Sequence, residues 1–474
     1  MFIAGSWTTA ASGEVFDAES PATGEKIGVI QNGGREDAQR AIAAAHGAAD
    51  AWARETAWAR GEAMHRVADQ IQLRKDGLAR TLTLDQGKPL RAEAYGEVEE
   101  LISYWRNAAE DAARLEGRIP NSVSPGKRVL LVRRPRGVIG VITPWNWPYT
   151  MPAELIAPAL ACGNAVVWTP ATTTSVAAVA LAECVAEADL PSGVFNLVTG
   201  PGSVVGDEIA RNPGTHGVGF IGSTETGLKI ARRAAGKRLL LEMGGNGPLV
   251  VLDDADLNAA AEAAITGCFL CAGQSCTAGE RLLVHRGVRK EFVASLAEQA
   301  VAQVRLGDPF DDGTTLGPLN NEGVAGKMDG HVEDAVNRGA RVVAGGARED
   351  GKPTDLYWPA TILDGVPADA LAATEETFGP IAPVTEIDSL EHAIELTNSS
   401  PYGLLAAIFT RDLQKGLRYA DEARTGLVNI NETTNYWENH LPFGGRGGTL
   451  SGVGRVGGRY AMETLTELQT VVVG

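Results

Sequence analysis

Between residues 137 and 251, apolar runs alternate with segments of helical periodicity, and this alternation constrains the fold more than any other feature of the chain. GVIGVITPW (137–145), NAVVW (164–168), GVFNLVT (193–199), HGVGFIGS (216–223) and RLLLEMGG (238–245) read as strands. The spacing predicts helices over 150–161, 173–188, 203–211 and 225–235 between them. Runs so uniformly apolar need cover on both sheet faces, and strand–helix–strand units at this pitch build a parallel sheet. A second alternating series starts at PLVVLDDADLN. It predicts helices over 257–270, 288–304 and 322–338, with strands at RLLVH and near 341–344 and 381–387. TELQTVVV (466–473) reads as a last strand with no helix after it, and its free edge calls for a partner.

Ahead of this pattern, 35–52, 60–84 and 92–115 carry apolar residues at helical spacing. GRIPNSVSPGKRVLLVRRP (117–135) breaks it with Pro and Gly, then ends basic and β-branched, which predicts a hairpin or a projecting arm. At 474 residues the chain exceeds one ordinary core. The usual domain size of about 100–200 residues suggests about three parts.

Composition narrows the function by exclusion. The net charge is −17, which argues against a nucleic-acid partner. No apolar run approaches the roughly 20 residues of a membrane span. The opening MFIAGSWTTAASGEVFD lacks the basic and apolar regions of a secretion signal, and five cysteines do not make a disulfide scaffold. A cytoplasmic location is the expectation.

Three of those cysteines crowd into CFLCAGQSCTAGE (268–280). The run admits a metal site, a redox pair, a disulfide, or one reactive thiol with two bystanders. A zinc site needs a second ligand pair, and neither His285 nor the distant Cys162 and Cys184 supplies one at a familiar spacing, so no metal is expected. Cys268 and Cys271 are three apart on the predicted helix; they are expected to share a face and pack as small apolar groups. Cys276 falls beyond that helix.

GxGxxG occurs as GVGFIG (217–222) and GVGRVG (452–457). The second lies too close to the end of the sequence for a strand–helix–strand unit and reads as a turn. In the first, the glycines fall within the strand, whereas a dinucleotide fingerprint places them after it. The better strand-to-helix turn is GSTETG, where Gly222, Ser223 and the following amides are placed to meet a pyrophosphate. Glu242, twenty residues past Gly222, then needs another role.

Seven segments in order resemble those of the aldehyde dehydrogenase superfamily: ITPWNWP (142–148), PALACGNAVVWTP (158–170), FIGSTETG, LEMGGNGPLVV (241–251), GQSC (273–276), EETFGP (375–380) and LPFGG (441–445). The resemblance spans nearly the whole chain. It implies an α/β fold with a modified Rossmann cofactor domain (1–116 and 136–244), an α/β catalytic domain (245–447), and a β oligomerisation arm (117–135 and 460–474). Members are usually dimers or tetramers, so a homodimer or homotetramer is expected.

The same resemblance implies oxidation of a small-molecule aldehyde to its acid. Cys276 matches the nucleophile, and a thiolate is intrinsically suited to attacking a carbonyl. Asn146 matches the oxyanion donor, acting with the Cys276 backbone N–H. Glu242 matches the general base that activates water against the thioester. Coenzyme-A-acylating relatives typically lack this Glu, so hydrolysis is favoured over acylation or phosphorylation; a catalytically silent relative is the remaining alternative. Glu376 and Phe378 resemble the residues around the nicotinamide ribose and ring, with Trp145, Gly222 and Ser223 as further cofactor candidates.

Two departures stand out. Where many members carry Lys in VVxKP this chain has Thr169, and three residues on, where NAD-preferring members often have Glu, it has Thr172. The missing acid removes repulsion against NADP and the missing Lys removes attraction for its phosphate, so NAD is expected with NADP as the alternative. Glu154-Leu155 stands where a basic residue commonly precedes the PAL segment. The substrate positions would be Trp147, Met151, Glu154, Ser275, Thr277 and Tyr436, with Trp437 nearby. With no Arg or Lys among them, a neutral, aromatic or cationic aldehyde is expected over one bearing a carboxylate.

Overall fold

The runs between 137 and 245 form the strands Val138–Ile142, Ala165–Thr169, Phe195–Leu197, Gly217–Ile221 and Arg238–Glu242. In the computed structural model, which describes all 474 residues, they are parallel. Every residue of the three central strands is buried, as a sheet covered on both faces requires. Ile139, Val141, Val166 and Trp168 pack on one face against helices Ala57–Leu73, Tyr95–Ala112, Thr150–Ala161 and Ser175–Ala186. Val138, Ile142, Ala165 and Val167 pack on the other against Arg35–Arg54, Val205–Arg211 and Thr224–Arg233.

Strand order places the site. From Val138–Ile142 the chain steps to Ala165–Thr169 and Phe195–Leu197 on one side, then to Gly217–Ile221 and Arg238–Glu242 on the other. The order therefore reverses beside Val138–Ile142, and a crevice opens there at the carboxyl ends of the strands, the usual ligand position in open α/β sheets. Pro144, Trp145 and Asn146 leave one of the flanking strands; Gly222 and Ser223 leave the other.

The second large sheet has seven strands, ordered Arg341–Ala344, Thr361–Asp364, Ile381–Ile387, Arg281–His285, Pro248–Val251, Leu405–Phe409 and Leu427–Ile430, all parallel except the first pair. Thr361–Asp364, Leu405–Phe409 and Leu427–Ile430 go beyond the sequence expectation, being four or five residues long and too short for a clear period.

Other differences are local. The chain begins with short strands rather than helix, and Phe2–Ile3 extends the first sheet antiparallel to Phe195–Leu197. GVGRVG supplies an edge strand, Gly452–Val453, antiparallel to Arg238–Glu242, before turning into helix Gly458–Leu465. Arg128–Pro135 pairs over its full eight residues with Thr466–Val473, apart from both large sheets.

The helix carrying Cys268 ends at Phe269. Cys271 and Ala272 both take φ 54°, so Cys268 and Cys271 do not share a helix face as the spacing suggested. The turn is held by the Cys271 N–H, which donates to Glu93 Oε1 at 2.9 Å instead of continuing the helix.

Candidate active site

Cys276 lies where two cavities meet, and Glu242, Met151 and Ile221 line both with it. One cavity, of about 240 Å³, opens on the sheet crevice and is lined by Trp145, Asn146, Gly222, Ser223, Glu376 and Phe378. The other, of about 210 Å³, is lined by Trp147, Glu154, Ser275, Thr277, Glu100 and Trp437. A group bound on the crevice side and a group bound on the other side would both reach the Cys276 sulfur.

The Cys276 loop is fixed by its own polar side chains. Ser275 Oγ and Thr277 Oγ1 share a hydrogen bond of 2.7 Å, and Thr277 Oγ1 donates to Asn435 Oδ1 at 2.5 Å. Gln274 Oε1 accepts from the Asn320 N–H at 2.8 Å, and its main-chain carbonyl accepts from Asn146 Nδ2 at 2.8 Å. That bond takes one of the two amide hydrogens of Asn146 and leaves the other for an incoming oxygen.

The site is acid-rich and buried. Burial pushes the Cys276 thiol well above its usual range, and the negative Glu242, Glu376 and Glu154 push it further. Glu242 is likewise pushed well up by burial and then by Glu154, with Arg455 opposing. Its Oε1 has no hydrogen-bond partner in the protein. An unpaired carboxylate oxygen buried beside a thiol is costly unless a ligand or water completes it.

Two consecutive glycines let three strands of chain converge. A Cβ on Gly244 would sit 2.8 Å from Glu376 Oε2, and one on Gly245 would sit 2.4 Å from the Cys276 carbonyl oxygen. The Gly245 N–H donates to Glu376 Oε1 at 2.8 Å. The segment after Glu242 thus touches both the nucleophile loop and the EETFGP turn.

The crevice fits a dinucleotide. Gly222 has φ 154°, and a Cβ there would meet the Phe220 ring at 2.7 Å, so the backbone comes close to whatever lies at the strand end. Ser223 caps helix Thr224–Arg233, whose first-turn amides suit a phosphate. Trp145 and Phe378 meet edge to face, centroids 5.6 Å apart, beside the Glu376 carboxylate. These are partners for a pyrophosphate, a flat ring and a ribose.

Three expected residues fall elsewhere. Tyr436 is 49% exposed and donates to Glu438 at 2.9 Å, so its neighbours Asn435 and Trp437 line the cavity in its place. Thr172 opens a short helical turn and lines a separate cleft with Phe16 and Asn320, away from the crevice. Thr169 is buried at its strand end outside the lining, with Oγ1 unpaired. The sequence reading missed Glu100, whose helix gives no hint of its target, and Glu280, the last residue of the cysteine segment. Glu280 accepts the Thr377 and Phe378 N–H groups.

Fold and site together define a nicotinamide-dependent oxidoreductase that works through a thiol. The chain belongs to the aldehyde dehydrogenase family, whose profile matches residues 7–471. The NADP(+) succinate-semialdehyde dehydrogenase of Escherichia coli strain K12 is 40% identical, the match spanning 100% of this chain and 97% of that protein. The structure of a succinate-semialdehyde dehydrogenase from Burkholderia pseudomallei superposes with TM-score 0.97 at 37% identity, covering 100% and 97% of the two chains. Betaine aldehyde dehydrogenase from Staphylococcus aureus, solved with NAD+, gives TM-score 0.95 at 33% identity, covering 100% and 94%. The protein is an NAD(P)-dependent aldehyde dehydrogenase that oxidises aldehydes to acids. No helix is long and apolar enough to cross a membrane.

Proposed function

We propose that Cys276, Asn146 and Glu242 carry out hydrolytic aldehyde oxidation, a reading carried by the meeting of both cavities at Cys276 and Glu242. The Cys276 thiol gives up its proton to water in the cavity, from which it passes to solvent, as the sulfur bonds to the aldehyde carbon and the carbonyl π pair moves onto oxygen. The second amide hydrogen of Asn146 and the Cys276 N–H stabilise that oxyanion, a role worth about 10²–10³ in rate per donor. Gly222, Ser223, Glu376, Phe378 and Trp145 would hold the nicotinamide cofactor, which when bound accepts the hydride. Cys276 is left as a thioester. In its ionised form Glu242 takes a proton from water as the hydroxide adds to the acyl carbon; the adduct collapses, the sulfur leaves and takes that proton back from Glu242, which regenerates the thiol and releases the free acid.

The test is product analysis. Acid and reduced cofactor should form one to one without coenzyme A or phosphate, and Cys276→Ala should form neither. Glu242→Gln should give a burst near one equivalent of reduced cofactor, then slow turnover. A strict requirement for coenzyme A would overturn the hydrolytic reading.

The substrate reading follows the cavity rather than the relatives. Succinate semialdehyde carries a carboxylate, but no Lys or Arg lines the cavity here, while Glu100 and Glu154 do. An aldehyde without a carboxylate on its tail suits this lining.

In the same reading, 1–116 with 136–244 hold the cofactor, 245–447 carry the nucleophile, and 117–135 with 460–474 form the arm of a homodimer or homotetramer. Exposed Leu468, Val472 and Val473 on the terminal strand support a partner there. Five free thiols support a reducing compartment, the cytoplasm.

A further inference from the structure

We propose that the preferred aldehyde carries a positive charge on its tail, held by Glu154 and Glu100 between the side chains of Trp147 and Trp437. The inference rests on assigning the cavity beside Cys276 to the aldehyde.

Glu154 lies on helix Thr150–Ala161 and Glu100 on helix Tyr95–Ala112, and both line the cavity. Tyr104, one turn beyond Glu100, donates to Glu154 Oε1 at 2.7 Å, which fixes the carboxylate and leaves Oε2 for the cavity. Glu154 is only 8% exposed, so it is not a solvated surface acid.

No Lys or Arg lines the cavity. The buried Lys88 is already engaged: Nζ lies 2.5 Å from Glu97 Oε2 and 3.2 Å from the Trp147 ring centroid. Lys88 and Glu97 are both shut off from solvent, and Lys88 does not line the cavity. Glu100, Glu154 and Glu242 therefore face the cavity as three acids with no base among them.

Burial raises Glu154 to about 8, with Glu100 adding to the rise and the Tyr104 hydrogen bond opposing it. Burial, then Glu97, raises Glu100 to about 7, with the Lys88 charge and Tyr104 opposing. Buried acids of this kind are costly to ionise alone, and an entering cation relieves that cost by pairing with them. An entering carboxylate adds to it. Trp437 and the face of Trp147 that Lys88 does not occupy supply aromatic surface on which alkylammonium groups sit well. The catalytic chemistry uses none of these four side chains.

The experiment compares three aldehydes on the wild-type enzyme with NAD+ and with NADP+. These are 4-(trimethylammonio)butanal, its neutral carbon isostere 5,5-dimethylhexanal, and succinic semialdehyde. The cation should exceed the isostere in kcat/KM by about tenfold or more, chiefly through KM, and the anion should be worst. Tetramethylammonium should compete with the aldehyde and not with the cofactor.

Glu154→Gln and Glu100→Gln should each shrink the cation-to-isostere ratio, and a ratio unmoved in both would overturn the assignment. KM for the cation should fall as pH rises from about 7 to 9, because Glu154 ionises among Tyr104, Glu100, Glu242 and Cys276, while KM for the isostere should not follow. Equal kcat/KM for cation and isostere, or succinic semialdehyde as best substrate, overturns the charge proposal and leaves the chemistry standing. No reduced cofactor from any of the three overturns the catalytic reading itself.

Discussion

Glu280 accepts the Phe378 N–H at 2.6 Å and the Thr377 N–H at 3.0 Å, and Phe378 stands at φ 61°. A bulky side chain in the left-handed region is strained by about 1–3 kcal/mol and persists only when its surroundings fix it. Here the Glu280 carboxylate fixes it, and the ring it positions lines the cofactor crevice.

Replacing that carboxylate should therefore be felt at the cofactor. Glu280→Ala leaves two buried amides unmatched, at about 1–3 kcal/mol each. KM for the nicotinamide cofactor should rise about tenfold or more, well beyond any change in KM for the aldehyde. Glu280→Gln, which keeps an acceptor oxygen, should recover part of the loss. A lower thermal midpoint with cofactor KM unchanged would show that the residue only stabilises the fold.

The two other cysteines of the segment should separate from Cys276 and, more weakly, from each other. Cys268 donates to the Gly279 carbonyl at 3.2 Å within the core, so Cys268→Ala should lower stability and leave kcat close to wild type. Cys271 donates to the Asn146 carbonyl at 3.5 Å and accepts from Gln86 at 3.6 Å, which ties it to Asn146. Thiol hydrogen bonds are weak, so Cys271→Ala should cost no more than about tenfold in kcat. A loss as complete as that of Cys276→Ala would make Cys271 part of the chemistry.

These contrasts show what the sequence could and could not say. Glu242 ends a strand, and Asn146 and Cys276 stand in the loops that follow regular elements, all inside contiguous motifs, so residue type and local setting were readable together. Glu100 belongs to the cavity only because its helix packs across Thr150–Ala161, a long-range contact without a local trace. Tyr436 was expected where Asn435 and Trp437 stand because the loop after Leu427–Ile430 has no period to tell inward from outward. Cys271 misled for the opposite reason: helical spacing ran on in the sequence after the helix had ended at Phe269.

Stability should fall as pH rises from about 5 to 8, against the usual behaviour of paired carboxylates. Burial raises Asp85 to about 7, Glu93 to about 7 and Glu154 to about 8. In the unfolded chain such groups titrate near 4, so across this window the folded state binds more protons, and the stability present in acid is lost as pH passes the folded values. Glu208 behaves oppositely. Hydrogen bonds from Asn212, Gln39, Arg211 and Arg35 outweigh its burial and hold it at about 2, so its contribution is lost only below the window. The thermal midpoint should decline from pH 5 to 8.5, and Glu154→Gln should flatten the decline. A midpoint rising through that range would contradict this.

Gly245→Ala tests how the catalytic groups are brought together. A methyl at 245 would lie 2.4 Å from the Cys276 carbonyl oxygen, and the obstacle is backbone, so no rotamer change relieves it. Either the nucleophile loop or the segment after Glu242 must shift. The same residue donates its N–H to Glu376, so the displacement also reaches the cofactor side. Because a misplacement of about 1 Å at reacting groups can cost about 10²-fold, kcat should fall at least that far while much of the fold survives. Gly247→Ala is the control: its added carbon would meet Leu405, 3.0 Å away, and does not approach Cys276. It should lower the thermal midpoint with a smaller loss of kcat. Equal losses of kcat in the two variants would mean that crowding in the core, and not the contact with Cys276, accounts for the effect.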